Sequence, residues 1–429
     1  MKSHSIVIVG GGAGGLELAT RLGNTLGKKR KAEIILVDAN MTHLWKPRLH
    51  EVAAGAINAN LDELNYVAHG RRHHFKFVLG RMCELNREEK AIELDVHYAG
   101  GVEVLPKRKI QYDTLVIAVG SQTNDFNTKG ASEHCIFLDK REAAEKFHQQ
   151  FIESYLRASN DETKTHCSVV IVGAGATGVE LAAELSHSAQ ELADYGFDGI
   201  KPEDLKVTIV EASARVLPVL SEKASAAILR QLKKIGIDVL TNELVTEVTP
   251  KGLHTKSGRF IEADLQVWSA GVKAPEFLAH MGLETNRIHQ IKVLPTLQST
   301  VDDSIFAFGD CAQCPRPDSE LPVPPRAQAA NQQATVLAKN LRARVMGGDL
   351  KPFVYKDKGS LISLSKASSV GNLMGNLSKD FTFEGKIARW LYISLYRMHQ
   401  IVLHGVLETT LLMLRDRLNR STGPKLKLH

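Results

Sequence analysis

At 429 residues with 43% hydrophobic and 24% charged residues, the chain has the make-up of an ordinary globular protein with room for two to three domains. Its net charge of +6 is concentrated: eight bases and two acids lie between Lys386 and His429, and the rest of the chain is balanced. This argues against a general affinity for nucleic acid and for a tail with a partner of its own. The five cysteines (Cys83, Cys135, Cys167, Cys311, Cys314) are too few and too scattered for a secreted disulfide framework.

The first predicted element is the apolar strand Ile6 to Val9, too short and too soon ended by glycine to be a signal-peptide core. A glycine loop with Gly10, Gly12 and Gly15 follows, then a helix through Leu22 and a second apolar strand ending on Asp38. The design returns at Val169 to Val172, with Gly173, Gly175 and Gly178, a long helix and a strand ending on Glu211. Such glycines allow a tight turn and close approach of backbone to a pyrophosphate, which the helix N-terminus attracts with N–H groups and dipole, while the terminal acid accepts from a ribose. One such loop is weak evidence; two in full context are strong. Asp38 stands 23 residues past Gly15, near the expected spacing, whereas Glu211 stands 33 past Gly178, which predicts an extended helix and loop around Ser188 to Lys206.

Two more strands, Thr114 to Gly120 (with Ala118) and Leu265 to Gly271, end in small residues and mark crossings between nucleotide domains. The strand Ser304 to Phe308 leads to Asp310, a carboxylate suited either to flavin ribityl hydroxyls or to capping the next helix. Cys311 and Cys314 form the only close cysteine pair and have no second ligand pair, so no metal site is expected. Beyond Ile387, two apolar sets recur at helical spacing, broken by His404, Glu408 and Thr409 before the ~18 residues a membrane span requires. With Trp390 and flanking cations the segment suits an interfacial helix on an anionic bilayer surface; a packing or dimerisation helix is the alternative, and a homodimer is compatible.

The paired loops, the Thr114 to Gly120 strand and Phe308-Gly309-Asp310 resemble the two-dinucleotide flavoproteins related to glutathione reductase. Within these, Leu44 to Gly55 and Ala327-Gln328-Ala329-Ala330-Asn331-Gln332 resemble type II NADH dehydrogenases. The resemblance implies an α/β fold with two Rossmann-like domains: FAD bound by 1–118 and 295–350, NADH bound by 119–294, and a membrane-binding region at 351–429. It implies hydride transfer from NADH to FAD and two electrons passed to a membrane quinone without proton pumping, at the cytoplasmic face of the inner membrane. A soluble acceptor such as ferredoxin, or a non-enzymatic NADH-responsive scaffold, is the alternative.

By the same resemblance, FAD is held by Gly10, Gly12, Gly15, Asp38, Lys46, Pro47, Ala118, Gly120, Asp310 and Ala327, and NADH by Gly173, Gly175, Gly178, Glu180, Glu211 and Gly271. Gln328 and Gln332, four apart on one helical face, would meet the quinone carbonyls. Glu180 is expected in the first turn of its helix near the nicotinamide, with a basic partner in the tail, Lys386 or Arg389, left open. Glu211 should repel a 2′-phosphate and favour NADH, although Arg215 could soften that rule.

Overall fold

The computed structural model describes residues 3–160, 166–195, 201–357, 360–364, 368–372, 382–384, 386–422 and 426. Side chains between 386 and 395, including Lys386 and Arg389, lie outside the described residues. The elements that position the site run, in chain order, β1 (His4–Val9), α1 (Ala13–Leu22), β2 (Ala32–Asp38), α2 (Leu49–Ala53), α3 (Tyr66–Arg72), β3 (Lys76–Leu79) and β4 (Thr114–Ile117), then β5 (Ile136–Phe137), β6 (Cys167–Val172), α4 (Ala176–Asp194), β7 (Leu205–Glu211), β8 (Asp238–Thr241) and β9 (Leu265–Trp268), then β10 (Ile305–Ala307), α5 (Ala327–Val345) and α6 (Lys386–Thr422).

Two five-stranded parallel sheets share one plan. The first has the order β10-β4-β1-β2-β3 and the second β5-β9-β6-β7-β8. The central strands β1 and β6 are buried on both faces, which explains their unbroken Val and Ile runs. The edge strand of the first sheet comes from far along the chain, after the second sheet is complete, so the second unit is inserted into the first. A short antiparallel ladder, Gln122–Thr123 with Val272–Lys273, ties the two crossings together.

Helix α6 is broken at Gly405, whose φ of 79° and ψ of 171° are not helical. Its first leg lies over the Leu44 to Gly55 stretch: the Trp45 ring sits 4.2 Å from that of His399, and the Arg48 guanidinium lies 4.9 Å above the Tyr396 ring. His399, Gln400, Leu403 and Thr409 are buried, while Val406, Leu407, Leu411, Leu414 and Leu418 are 55–75% exposed. The apolar set anticipated from sequence therefore splits, with Leu403 turned into the protein and the others forming an outward stripe.

Candidate active site

Each sheet presents a glycine turn at the C-terminal end of its central strand, where ligands of parallel sheets collect. Gly10 and Gly173 hold φ of +104° and +103°. A Cβ on Gly15 would stand 1.8 Å from the Gly10 carbonyl oxygen, and one on Gly178 would stand 2.1 Å from that of Gly173. These glycines let helix and strand touch. Gly12 and Gly175 differ: a Cβ there would meet nothing within 4 Å. Each is the N-cap of its helix with no side-chain cap, so backbone N–H groups face an open cradle of the kind a pyrophosphate fills.

The two acids act alike. Asp38 Oδ2 accepts from Gly11 N at 2.6 Å, and Glu211 Oε2 accepts from Ala174 N at 2.7 Å. Each thus fixes its own glycine loop while presenting a carboxylate at the edge of the cradle. Burial raises the Asp38 pKa, opposed by its backbone hydrogen bonds. The Arg215 guanidinium donates to the carbonyls of Leu220 and Pro218 at 3.0 and 2.9 Å.

Residues remote in sequence close the first cradle. Lys46 Nζ donates to the Ser121 carbonyl at 2.7 Å, and Ser121 Oγ donates to Asp310 Oδ2 at 2.8 Å. Burial raises the Asp310 pKa, opposed by that hydrogen bond and by the Lys46 charge. Asp310 lies in a 3₁₀ turn, and Arg326 is the N-cap of α5, so the capping role does not fall to Asp310. Gln333 accepts from Gly309 N at 2.9 Å. Pro47 is exposed in the turn before α2, Ala118 is buried against Gly10, and Ala327 opens α5. A Cβ on Gly120 would meet nothing within 4 Å, whereas one on Gly271 would strike the Phe126 ring at 2.4 Å.

Glu180 requires a correction. Helix α4 begins at Ala176, so Glu180 lies in the second turn, too deep for the helix-start benefit of an acid. It is buried, with Oε2 3.6 Å from His50 Nδ1, itself buried on α2 of the other unit. Burial lowers the His50 pKa. Sequence reading passed over His50, although it lies inside the stretch that carried the resemblance.

Gln328 and Gln332 do share a face, and that face meets the chain just after α5. Gln332 donates to the Lys356 carbonyl at 2.9 Å and accepts from Lys356 N at 3.1 Å, so its amide is engaged at both ends. Gln328 Nε2 makes a longer contact of 3.4 Å to Asp357. The Cys311 and Cys314 thiols are buried, and burial raises them to about 12 and about 11, far from the reactive range. Among the described residues no His, Cys, Asp and Glu cluster is arranged to hold a metal ion.

Residues 4–334 match the pyridine nucleotide-disulphide oxidoreductase family. Along 99% of this chain and the whole of the relative, the sequence is 48% identical to the type II NADH:quinone oxidoreductase of Haemophilus influenzae. The chain belongs to the type II NADH:quinone oxidoreductases. The Staphylococcus epidermidis protein of the same name is 28% identical over 86% of the chain and 90% of its own length. This type II enzyme shares its fold with NDH2 from Plasmodium falciparum in complex with NADH, at a TM-score of 0.83 and 20% identity over 99% of this chain and 100% of that one. The fold also extends to the sulfide:quinone oxidoreductase of Aquifex aeolicus, at a TM-score of 0.74 and 17% identity over 98% and 95% of the two chains. The oxidoreductase uses FAD and NADH, and its two open cradles fit one dinucleotide each.

Proposed function

We propose that this enzyme takes hydride from NADH in the second cradle to FAD in the first and passes two electrons to a membrane quinone, without proton pumping. The observation that carries the reading is the meeting of the two units at Glu180 and His50, 3.6 Å apart, which supports hydride passing between them. FAD, when bound, supplies the ring that accepts hydride and returns electrons in pairs. The chain supplies position and electrostatics. Gly12 and Gly175 leave open space that would take the pyrophosphates, Asp38 and Glu211 would meet the riboses, and Lys46 with Asp310 and Ser121 would hold the flavin's polar edge and side chain. Gln328 lies at the start of α5, whose N-terminus favours negative charge nearby, and is the better placed of the two glutamines to meet a quinone carbonyl.

The outward stripe Val406, Leu407, Leu411, Leu414 and Leu418 supports seating on a bilayer surface, and the excess of bases in the tail's sequence favours an anionic one. No described helix is long and apolar enough to cross a membrane. We read the enzyme as peripheral, with the donor NADH favouring the cytoplasmic face. The purified protein should be yellow, bleach anaerobically with NADH and recolour on adding quinone. A flavin that NADH bleaches and quinone leaves bleached would refute the acceptor.

A further inference from the structure

Helix α1 buries Leu16, Leu18, Ala19 and Leu22, and among these apolar side chains it also buries the carboxylate of Glu17, which is 1% exposed. Glu17 Oε2 accepts from Asn331 Nδ2 at 2.6 Å, and Oε1 lies 2.7 Å from His399 Nδ1 on α6. Across the same imidazole, His399 Nε2 stands 3.2 Å from His43 Nε2, in a contact closed off from solvent. The Trp45 ring, 4.2 Å away, fixes the orientation of His399.

A contact between two ring nitrogens is satisfied only when one bears a proton and the other a lone pair. Two arrangements meet that demand. In one, neutral His399 gives Nδ1–H to the Glu17 carboxylate and accepts Nε2–H from His43. In the other, His399 carries both protons against Glu17 and donates to His43. Passing from the first to the second takes one proton onto the far nitrogen of His43 and moves the Nε2 proton across to His399. The geometry that joins α6 to α1 thus offers a path for a proton.

The His43 end is open to solvent. A cavity of about 320 Å³ opens beside His43 and His399, between α3 and α6, with Arg72 and Arg415 toward its rim. At the other end, Asn331 lies three residues beyond Gln328 on α5, so Glu17 sits against the helix that bears the acceptor face.

We propose that His43, His399 and Glu17 form a proton relay that brings in the solvent proton consumed when quinone becomes quinol. The reaction balances as NADH, one proton and quinone giving NAD⁺ and quinol: hydride carries two electrons and one proton equivalent, and solvent supplies the second proton. The relay rests on the quinone reading above. Its titratable and charged surroundings are Arg21 on α1, Glu63 ahead of α3, His69 and Arg72 on α3, His73 just after it, and His404, Glu408, Arg415 and Asp416 on α6. Arg72 is paired with Glu408, Arg415 with Asp416, and Glu63, which also lines the cavity, with Arg141. Burial, with the neighbouring His399 and His69, holds His43 down at about 3, so its lone pair is available near neutral pH.

The test compares wild type with H399Q and E17Q, loaded with FAD, by rapid mixing with NADH and then with a short-tailed quinone. The relay predicts unchanged flavin reduction, flavin reoxidation slowed at least tenfold above pH 7, a flattened pH profile, and partial rescue of H399Q by added imidazole. Reoxidation of wild type should slow in D₂O. In ¹⁵N-histidine-labelled protein without substrates, E17Q should shift the ring ¹⁵N resonances of His399, which report where its protons sit. Full-rate reoxidation in an FAD-loaded H399Q would overturn the relay. Equal slowing of both half-reactions without imidazole rescue would reduce the trio to a structural clasp. Should both variants lose FAD, H43Q, changed at the cavity end, takes their place: slowed reoxidation with intact flavin reduction would uphold the proposal, and full-rate reoxidation, or wild-type reoxidation insensitive to D₂O, would overturn it. Wild-type flavin that quinone cannot reoxidise would instead sink the acceptor reading and take the relay with it.

Discussion

Glu180, from the helix that follows the second glycine turn, places Oε2 3.6 Å from Nδ1 of His50, on the helix of the first unit, and both side chains are buried. The pair brings the two units together through buried side chains. Replacing Glu180 with Gln keeps the shape and removes the charge. Flavin reduction by NADH should slow by about tenfold, roughly 1.4 kcal/mol in the barrier, with FAD content unchanged. Anaerobic stopped-flow reads this directly, and an unaltered reduction rate would leave Glu180 a packing role only.

Cofactor choice should rest on Glu211, because Arg215 is spent on the carbonyls of Pro218 and Leu220. In E211S, the ratio of kcat/KM for NADPH to that for NADH should rise by about tenfold or more. NADH use should itself weaken, since Ala174 N and Ser213 N lose their acceptor. An unchanged ratio would mean that another group reads the ribose.

The two glutamines of α5 should behave differently. Gln328→Ala should spare flavin reduction and slow reoxidation by quinone. Gln332→Ala removes two hydrogen bonds to the Lys356 backbone, worth about 1 kcal/mol each, so its main effect should be lower stability, seen in chemical denaturation. Equal kinetic losses in the two variants would restore the symmetric role that their spacing suggested.

Acid should loosen the fold through its buried histidines. Burial is the leading cause that brings both His43 and His69 from 6.5 down to about 3. The unfolded chain then takes up protons first, so stability is full above the ordinary value and declines as pH falls toward 3. At about pH 5 each such histidine costs roughly 2 kcal/mol by linkage. Denaturant titrations of the FAD-loaded protein at pH 7.5 and pH 5 should differ accordingly; equal stabilities would show that these rings are not held neutral.

Membrane attachment is better probed by surface charge than by removing the tail, because His399, Gln400, Leu403 and Thr409 are packed inside. Leu407 and Leu411 are 75% and 58% exposed, so a Leu407→Glu, Leu411→Glu double variant should retain FAD and NADH oxidation. Its binding to anionic vesicles should fall sharply, whereas high salt should weaken wild-type binding only in part, since screening leaves the apolar stripe untouched. Undiminished vesicle binding by the double variant would move the anchor elsewhere.

Local pattern determined much of this protein. A doubly buried parallel strand writes itself as a run of Val and Ile, and a helix meeting that strand through backbone needs glycine, so both dinucleotide units could be read from Ile6 to Asp38 and from Val169 to Glu211. The tail's stripe was also readable, because helical spacing is a property of sequence. Tertiary structure decided which side chains meet across distance. Nothing local announces that His50 faces Glu180, that Ser121 links Lys46 to Asp310, or that Gln332 is tied to Lys356. Glu17, 382 positions from His399, reads in sequence as one more charge on a helix. Only packing α6 onto α1 removes it from water, and burial makes a charge seek a partner.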